Sequence, residues 1–182
     1  MGVSVKTYSY DQAKFNVSVT ATGVFCLALF ILSVMSILGV TTLLPVPIAV
    51  LVLIVAGYQV WNTFVSIANP KDVSIDEDSI TFSAFGRHDR FAFDDITSFS
   101  VREVGGDARI YVRVNGGGLL RGRYWLQILY TSDGKELFQW MEDFEYRVEP
   151  DSLKARARRA SELSAATSGK APSKKNNKRR KK

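Results

Sequence analysis

The sequence predicts a two-span transmembrane helical hairpin followed by an all-β domain of about seven antiparallel strands, a barrel or sandwich closed by a C-terminal α-helix. Three observations predict it. From Phe15 to Pro70 there is no Asp, Glu, Lys or Arg. From Lys71 onward apolar residues recur at every second position, as in half-buried strands. After Leu137 the spacing lengthens to that of an amphipathic helix.

The uncharged stretch holds two runs long enough to cross a bilayer core of about 30 Å, which takes roughly 20 apolar residues. They fall at about residues 19–40 and 44–64, within a membrane segment spanning 17–66. Thr41-Thr42-Leu43-Leu44-Pro45-Val46-Pro47 forms a charge-free turn between them, and Pro47 suits the first turn of the second helix. Charges flank only the outer ends, at Lys6, Lys14 and Lys71. Both termini and the β domain are therefore expected on the cytoplasmic side of a plasma or inner membrane. Residues 1–16 read as a cytoplasmic lead-in, with Tyr8, Tyr10 and Phe15 joining Tyr58, Trp61 and Phe64 in an aromatic belt. Neither span carries a charge, which argues against an ion or proton pathway. Cys26 reads as a small apolar residue within the first span.

The β domain is expected over residues 71–149. Alternation is clearest at Ile110, Val112 and Val114 between Arg109, Tyr111 and Arg113, and recurs at Tyr124, Leu126 and Ile128. Shorter cases are Ile80-Phe82-Ala84, Phe91-Phe93 and Phe99-Val101, with a first strand near Val73–Ile75 and a last near Glu136–Phe138. Turn chemistry separates them: Gly86-Arg87-His88-Asp89, Gly105-Gly106-Asp107, Asn115-Gly116-Gly117-Gly118 and Ser132-Asp133-Gly134. Leu137, Trp140, Met141, Phe144 and Val148 then share one helix face. Pro150 ends that helix, and Asp151 or Ser152 can cap a thinner basic helix over 150–165.

This order of strands, with a closing helix bearing Trp140, resembles a pleckstrin-homology (PH) domain. With two spans before it, the chain resembles the bacterial PH-like membrane proteins, and Phe91-Ala92-Phe93-Asp94-Asp95-Ile96-Thr97-Ser98-Phe99 is similar to that family's middle strands. The resemblance covers about residues 73–148. It implies a module that binds a protein or lipid headgroup at its rim or edge, and no catalyst.

The residues themselves show no catalytic constellation. With one His and one Cys in 182 residues, a disulfide framework is excluded and a Cys/His metal site is not expected. No cofactor and no metal are expected. His88 reads as a solvated turn residue. The resemblance allows an anionic headgroup at Arg87, His88 and Arg90, with Arg121 and Arg123 as a second cluster alongside; a solvated loop is the other reading, and both stay open.

The residues from 71 to 165 carry 14 basic and 17 acidic side chains, so the net charge of +6 comes from the tail. Residues 166–182, with Lys170, Lys174, Lys175, Lys178, Arg179, Arg180, Lys181 and Lys182, are expected to be disordered. Such a tail suits an anionic leaflet. It suits RNA or a ribosome as well, since backbone neutralisation is blind to sequence. The leading expectation is a membrane-anchored scaffold with the tail on anionic lipid; the alternative is a membrane factor whose tail contacts RNA or ribosomes.

Overall fold

The computed structural model describes residues 5–105, 109–118 and 120–168. Two long apolar helices, α1 (Gln12–Ile37) and α2 (Val46–Val65), form an antiparallel hairpin. The Asp11 carboxylate caps α1 by accepting from Lys14 N–H at 2.9 Å. Each helix has a π-helical stretch at the end nearest the sheets, Asn16–Ala21 in α1 and Trp61–Val65 in α2. At the far end Gly39 has φ 74° and Pro45 opens α2.

The helices meet through small residues: Gly23, Ser33 and Ser36 are buried on α1, and Ala49, Ala56 and Thr63 on α2. A Cβ on Gly23 would lie 2.7 Å from Thr63 Cγ2 and 2.9 Å from Phe64 Cζ, so only glycine permits this approach. The large apolar side chains point outward instead, with Phe25, Leu51, Ile54 and Val55 each more than 60 % exposed.

Among the described residues six strands follow the hairpin, and one precedes it. β1 (Lys6–Ser9), β2 (Asp72–Ile75), β3 (Ser79–Ala84) and β4 (Arg87–Ala92) form an antiparallel sheet in that order. β5 (Phe99–Val104), β6 (Arg109–Val114) and β7 (Arg123–Gln127) form a second antiparallel sheet. The domain is thus two sheets of four and three strands, not a closed barrel. The expected last strand near Glu136–Phe138 lies inside α3 (Gly134–Val148). Ser132-Asp133-Gly134 is the start of that helix: Glu136 and Leu137 N–H both donate to the Asp133 carbonyl. A Cβ at Gly134 would overlap the Ile128 carbonyl oxygen.

The first strand comes from the segment read as a cytoplasmic lead-in. β1 pairs with β2 in the register Lys6↔Ile75 to Ser9↔Asp72. Tyr10 N–H then donates to the Lys71 carbonyl and Asp11 N–H to the Tyr130 carbonyl, at 2.8 and 2.7 Å. Tyr8, Tyr10 and Phe15 are consequently buried at 3, 7 and 2 % exposure, in the protein core and not in an aromatic belt. Burying three aromatic rings between strands and helices removes far more apolar surface than a rim position would.

One apolar core joins the inner faces of both sheets to α3. Phe82 of β3 stacks on Tyr124 of β7 at 3.9 Å between centroids. From α3, Phe144 packs edge-on against Phe99 at 5.0 Å and beside Phe93 at 5.1 Å, while Trp140 stacks on Phe144. A smaller cluster of Tyr10, Phe15, Ile67 and Ala84 sits where the helices leave the sheets. Residues 149–168 belong to a separate unit containing α4 (Leu153–Ser168), capped by Ser152 Oγ accepting from Ala155 N–H. Within it Arg158 pairs with Glu162 at 3.0 Å, one turn away.

Candidate functional site

The feet of the hairpin are flanked by two clefts. The first, of about 600 Å³, lies between Gln12, Asn16 and Thr20 of α1 and Lys71, Arg87 and His88 beside the first sheet. The β3–β4 turn forms one wall. Phe85 at its tip has φ 52° and packs against Phe15 at 5.5 Å and Phe64 at 5.3 Å. Arg87 Nη1 donates to the Val65 carbonyl at 2.6 Å, closing the last turn of α2.

Of the expected headgroup residues, Arg87 and His88 line this cleft, while Arg87, Arg90 and Arg121 also make bonds within the protein. Arg87, His88 and Arg90 belong to strand β4 itself, and the turn is Phe85-Gly86. Strand alternation puts His88 and Arg90 on the face opposite Asp89 and Phe91. Arg90 is held by Asp78 at 3.2 Å and by Ser79 Oγ at 3.0 Å. Arg121 does come alongside β4: it donates to the Arg90 carbonyl, lies 4.0 Å from Asp89 and covers the Phe91 ring at 4.2 Å. Its charge is matched locally.

The second cleft, of about 630 Å³, lies between the foot of α2 and the outer face of the second sheet. Tyr58, Gln59, Trp61 and Asn62 line the helix side; Arg109, Tyr111, Arg123 and Trp125 line the sheet side. The linker between them is pinned, because Trp125 N–H donates to the Ala68 carbonyl at 2.7 Å.

The register explains why this face is basic. Arg109 stands opposite Gln127, Tyr111 opposite Trp125 and Arg113 opposite Arg123, while Arg102 of β5 stands opposite Tyr111. Even spacing along each strand places all of these on the side away from the core. Tyr111 and Trp125 touch, with ring centroids 4.6 Å apart and planes at 41°. Turning the Gln127 amide so that its oxygen faces Arg109 gives bonds of 2.9 and 2.7 Å to Nε and Nη2. Arg123 Nε donates to the Gly117 carbonyl at 3.0 Å, and Arg113 donates to the Gly116 carbonyl. Among the described residues no carboxylate pairs with Arg102, Arg109, Arg113 or Arg123.

Sequence reasoning found Arg121 and Arg123 and missed Arg102, Arg109 and Arg113. Each missed arginine was visible as the polar half of an alternating strand, but only the pairing register collects them on one surface. Lys174, Lys175, Lys178, Arg179, Arg180, Lys181 and Lys182 lie outside the described residues. Among the described residues no three His, Cys, Asp or Glu side chains come together as a metal site.

No known protein family, curated protein or solved structure matches this chain.

Proposed function

We propose that the protein is a membrane-anchored, cytoplasm-facing binding and scaffolding module, with a PH-like arrangement of two sheets and a closing helix carried on a transmembrane hairpin. One observation carries the reading: β1 before the hairpin pairs with β2 after it, so the sheets are fastened to both feet of two helices whose apolar side chains face outward. In water those helices would present a continuous apolar surface of a kind monomeric soluble proteins avoid, whereas in a bilayer it needs no cover. Lys6, Lys14 and Lys71 all lie at the sheet end of the hairpin, which supports a cytoplasmic position for the sheets. Antiparallel sheets of four and three strands followed by a helix support the PH-like reading, with β1 supplied from before the hairpin. Its task is to hold a lipid or protein ligand next to the bilayer, with the basic tail adding attraction to anionic lipid.

Cysteine labelling of the full chain tests this. In a Cys26→Ser background, Thr42→Cys in the helix turn is expected to react with an impermeant maleimide from outside intact cells. Glu77→Cys, in the β2–β3 turn, is expected to react only after permeabilisation, and alkaline carbonate should leave the protein in the membrane. Release by carbonate, or labelling of Glu77→Cys from outside, would overturn the reading.

A further inference from the structure

The outer face of the second sheet gathers Arg102, Arg109, Arg113 and Arg123 around the Tyr111–Trp125 pair, and its cleft opens against the last turns of α2. We propose that this face binds the phosphate of an anionic phospholipid headgroup from the leaflet that α2 leaves, with Arg109 and Arg123 as its clamp. This deepens the membrane-module reading and rests on it.

Charge is the first argument. None of these four arginines is neutralised by a carboxylate among the described residues. Arg113 and Arg123 stand directly opposite on neighbouring strands, an arrangement that disfavours the sheet by itself and is relieved by a shared anion. Arg113 Nε is also buried without a hydrogen-bond partner. Guanidinium groups take phosphate oxygens through paired N–H donors, which a lysine cannot reproduce.

Position is the second argument. One wall of the cleft is α2 itself, at Tyr58, Trp61 and Asn62, where the apolar helix gives way to the sheets. Headgroups of the surrounding leaflet lie at that level, and Trp and Tyr favour it. A headgroup phosphate entering there keeps its acyl chains beside the outward apolar side chains of α2. The tilted Tyr111–Trp125 pair offers a largely apolar floor for the glycerol portion. RNA would have to reach the same arginines against the membrane surface, so lipid is the occupant the geometry favours.

The test is a thermal melt of the full-length protein in neutral detergent with added phosphatidylglycerol, phosphatidylcholine, inorganic phosphate or polyuridylate. A ligand that binds only the folded state raises the midpoint. Phosphatidylglycerol is expected to raise it, and the other three are not. Arg109→Gln and Arg123→Gln should each weaken the apparent affinity for phosphatidylglycerol by about tenfold, each variant's shift being read against its own lipid-free midpoint, because both arginines also bond within the sheet face. Arg109→Lys and Arg123→Lys should retain part of the effect. A full chain with Lys174, Lys175, Lys178, Arg179 and Arg180 changed to Gln should keep it.

Loss of the effect in the tail variant, or its persistence in both Gln variants, overturns the proposal. An equal shift with inorganic phosphate, or an arginine-dependent shift with polyuridylate, overturns it in favour of those ligands. If no lipid acts while the protein resists carbonate extraction, the headgroup site falls and the membrane module stands; extraction by carbonate removes both.

Discussion

The Tyr124 hydroxyl donates to Asp89 Oδ2 at 2.7 Å and accepts from Gly122 N–H at 3.1 Å, tying β7 of the second sheet to β4 of the first. The ring itself stacks on Phe82 in the core. A polar tie and an aromatic stack from one side chain thus hold the two sheets together where no strand ladder does. Burial of the ring, and then the Asp89 carboxylate, push the Tyr124 hydroxyl above its usual ionisation near 10.

Tyr124→Phe keeps the stack and removes both hydrogen bonds. It is expected to cost about 1–3 kcal/mol at neutral pH, since Asp89 and Gly122 lose their buried partner. The same variant should change the alkaline limb. The folded protein keeps a proton that the unfolded chain loses near pH 10, so this contribution is complete below that value and is lost as pH rises above it. Wild type should therefore weaken more steeply than Tyr124→Phe above pH 10, as read by denaturant melts at a series of pH values.

Thr7 and Ser74 are directly paired across β1 and β2, and their hydroxyls lie 3.0 Å apart. Cα atoms paired in this way are about 4.5–5.5 Å apart, within reach of a disulfide. In a Cys26→Ser background, Thr7→Cys with Ser74→Cys is expected to cross-link on mild oxidation. A non-reducing gel after cleavage between the two positions reads the result, and fragments that separate would contradict the pairing.

Gly23→Val drives side-chain atoms into Thr63 and Phe64. The expected loss is about 1–3 kcal/mol from overpacking, seen as a lower melting midpoint in detergent. Gly39→Ala, where φ is 74° and nothing lies within 4 Å, tests a different cost: backbone strain without steric overlap.

Phe144→Ala removes the ring that α3 inserts between Phe93, Phe99 and Trp140. Deleting a buried aromatic of this kind costs about 3–5 kcal/mol. Melts followed by near-ultraviolet circular dichroism should show the loss, with the Trp140 signal weakening first.

Arg87→Ala should cost roughly 0.5–1.5 kcal/mol through the lost bond to the Val65 carbonyl. It should leave the phosphatidylglycerol response intact, whereas Arg123→Gln should lose that response in addition to its bond to the Gly117 carbonyl. Melts of both variants with and without lipid separate a residue that fastens the hairpin from one that clamps an anion.

How far the sequence discloses this architecture depends on the range of the interaction concerned. The uncharged stretch, the alternation at Ile110–Val114 and the helical spacing from Leu137 are local patterns, and each appears in the structure as a helix or strand. β1 is four residues long and lies far from its partner, so nothing near Tyr8 announces that it completes a sheet. Tyr8, Tyr10 and Phe15 beside an apolar helix look like interfacial residues until β1 is known to join the sheet, which puts Tyr8 in the main core and Tyr10 and Phe15 against Ile67 and Ala84. Glu136–Phe138 continues the apolar signal of β7 across a turn, and the turn proves to be a helix start. The arginine face was hidden for a related reason. Alternation says which side chains share a strand face, but pairing between strands decides which arginines meet.

The pairing of β1 with β2 also orders events during synthesis. A chain made from its N-terminus produces β1 before either apolar helix and β2 only after both. β1 therefore has no partner until α1 and α2 have been made and β2 comes back beside it. Loop closure over that distance grows only slowly in cost once the hairpin holds its ends together. A chain stalled with one helix made keeps β1 unpaired, and an unpaired strand edge is open to pairing with another chain. The four-stranded sheet is thus complete only once both helices have been made and β2 stands beside β1.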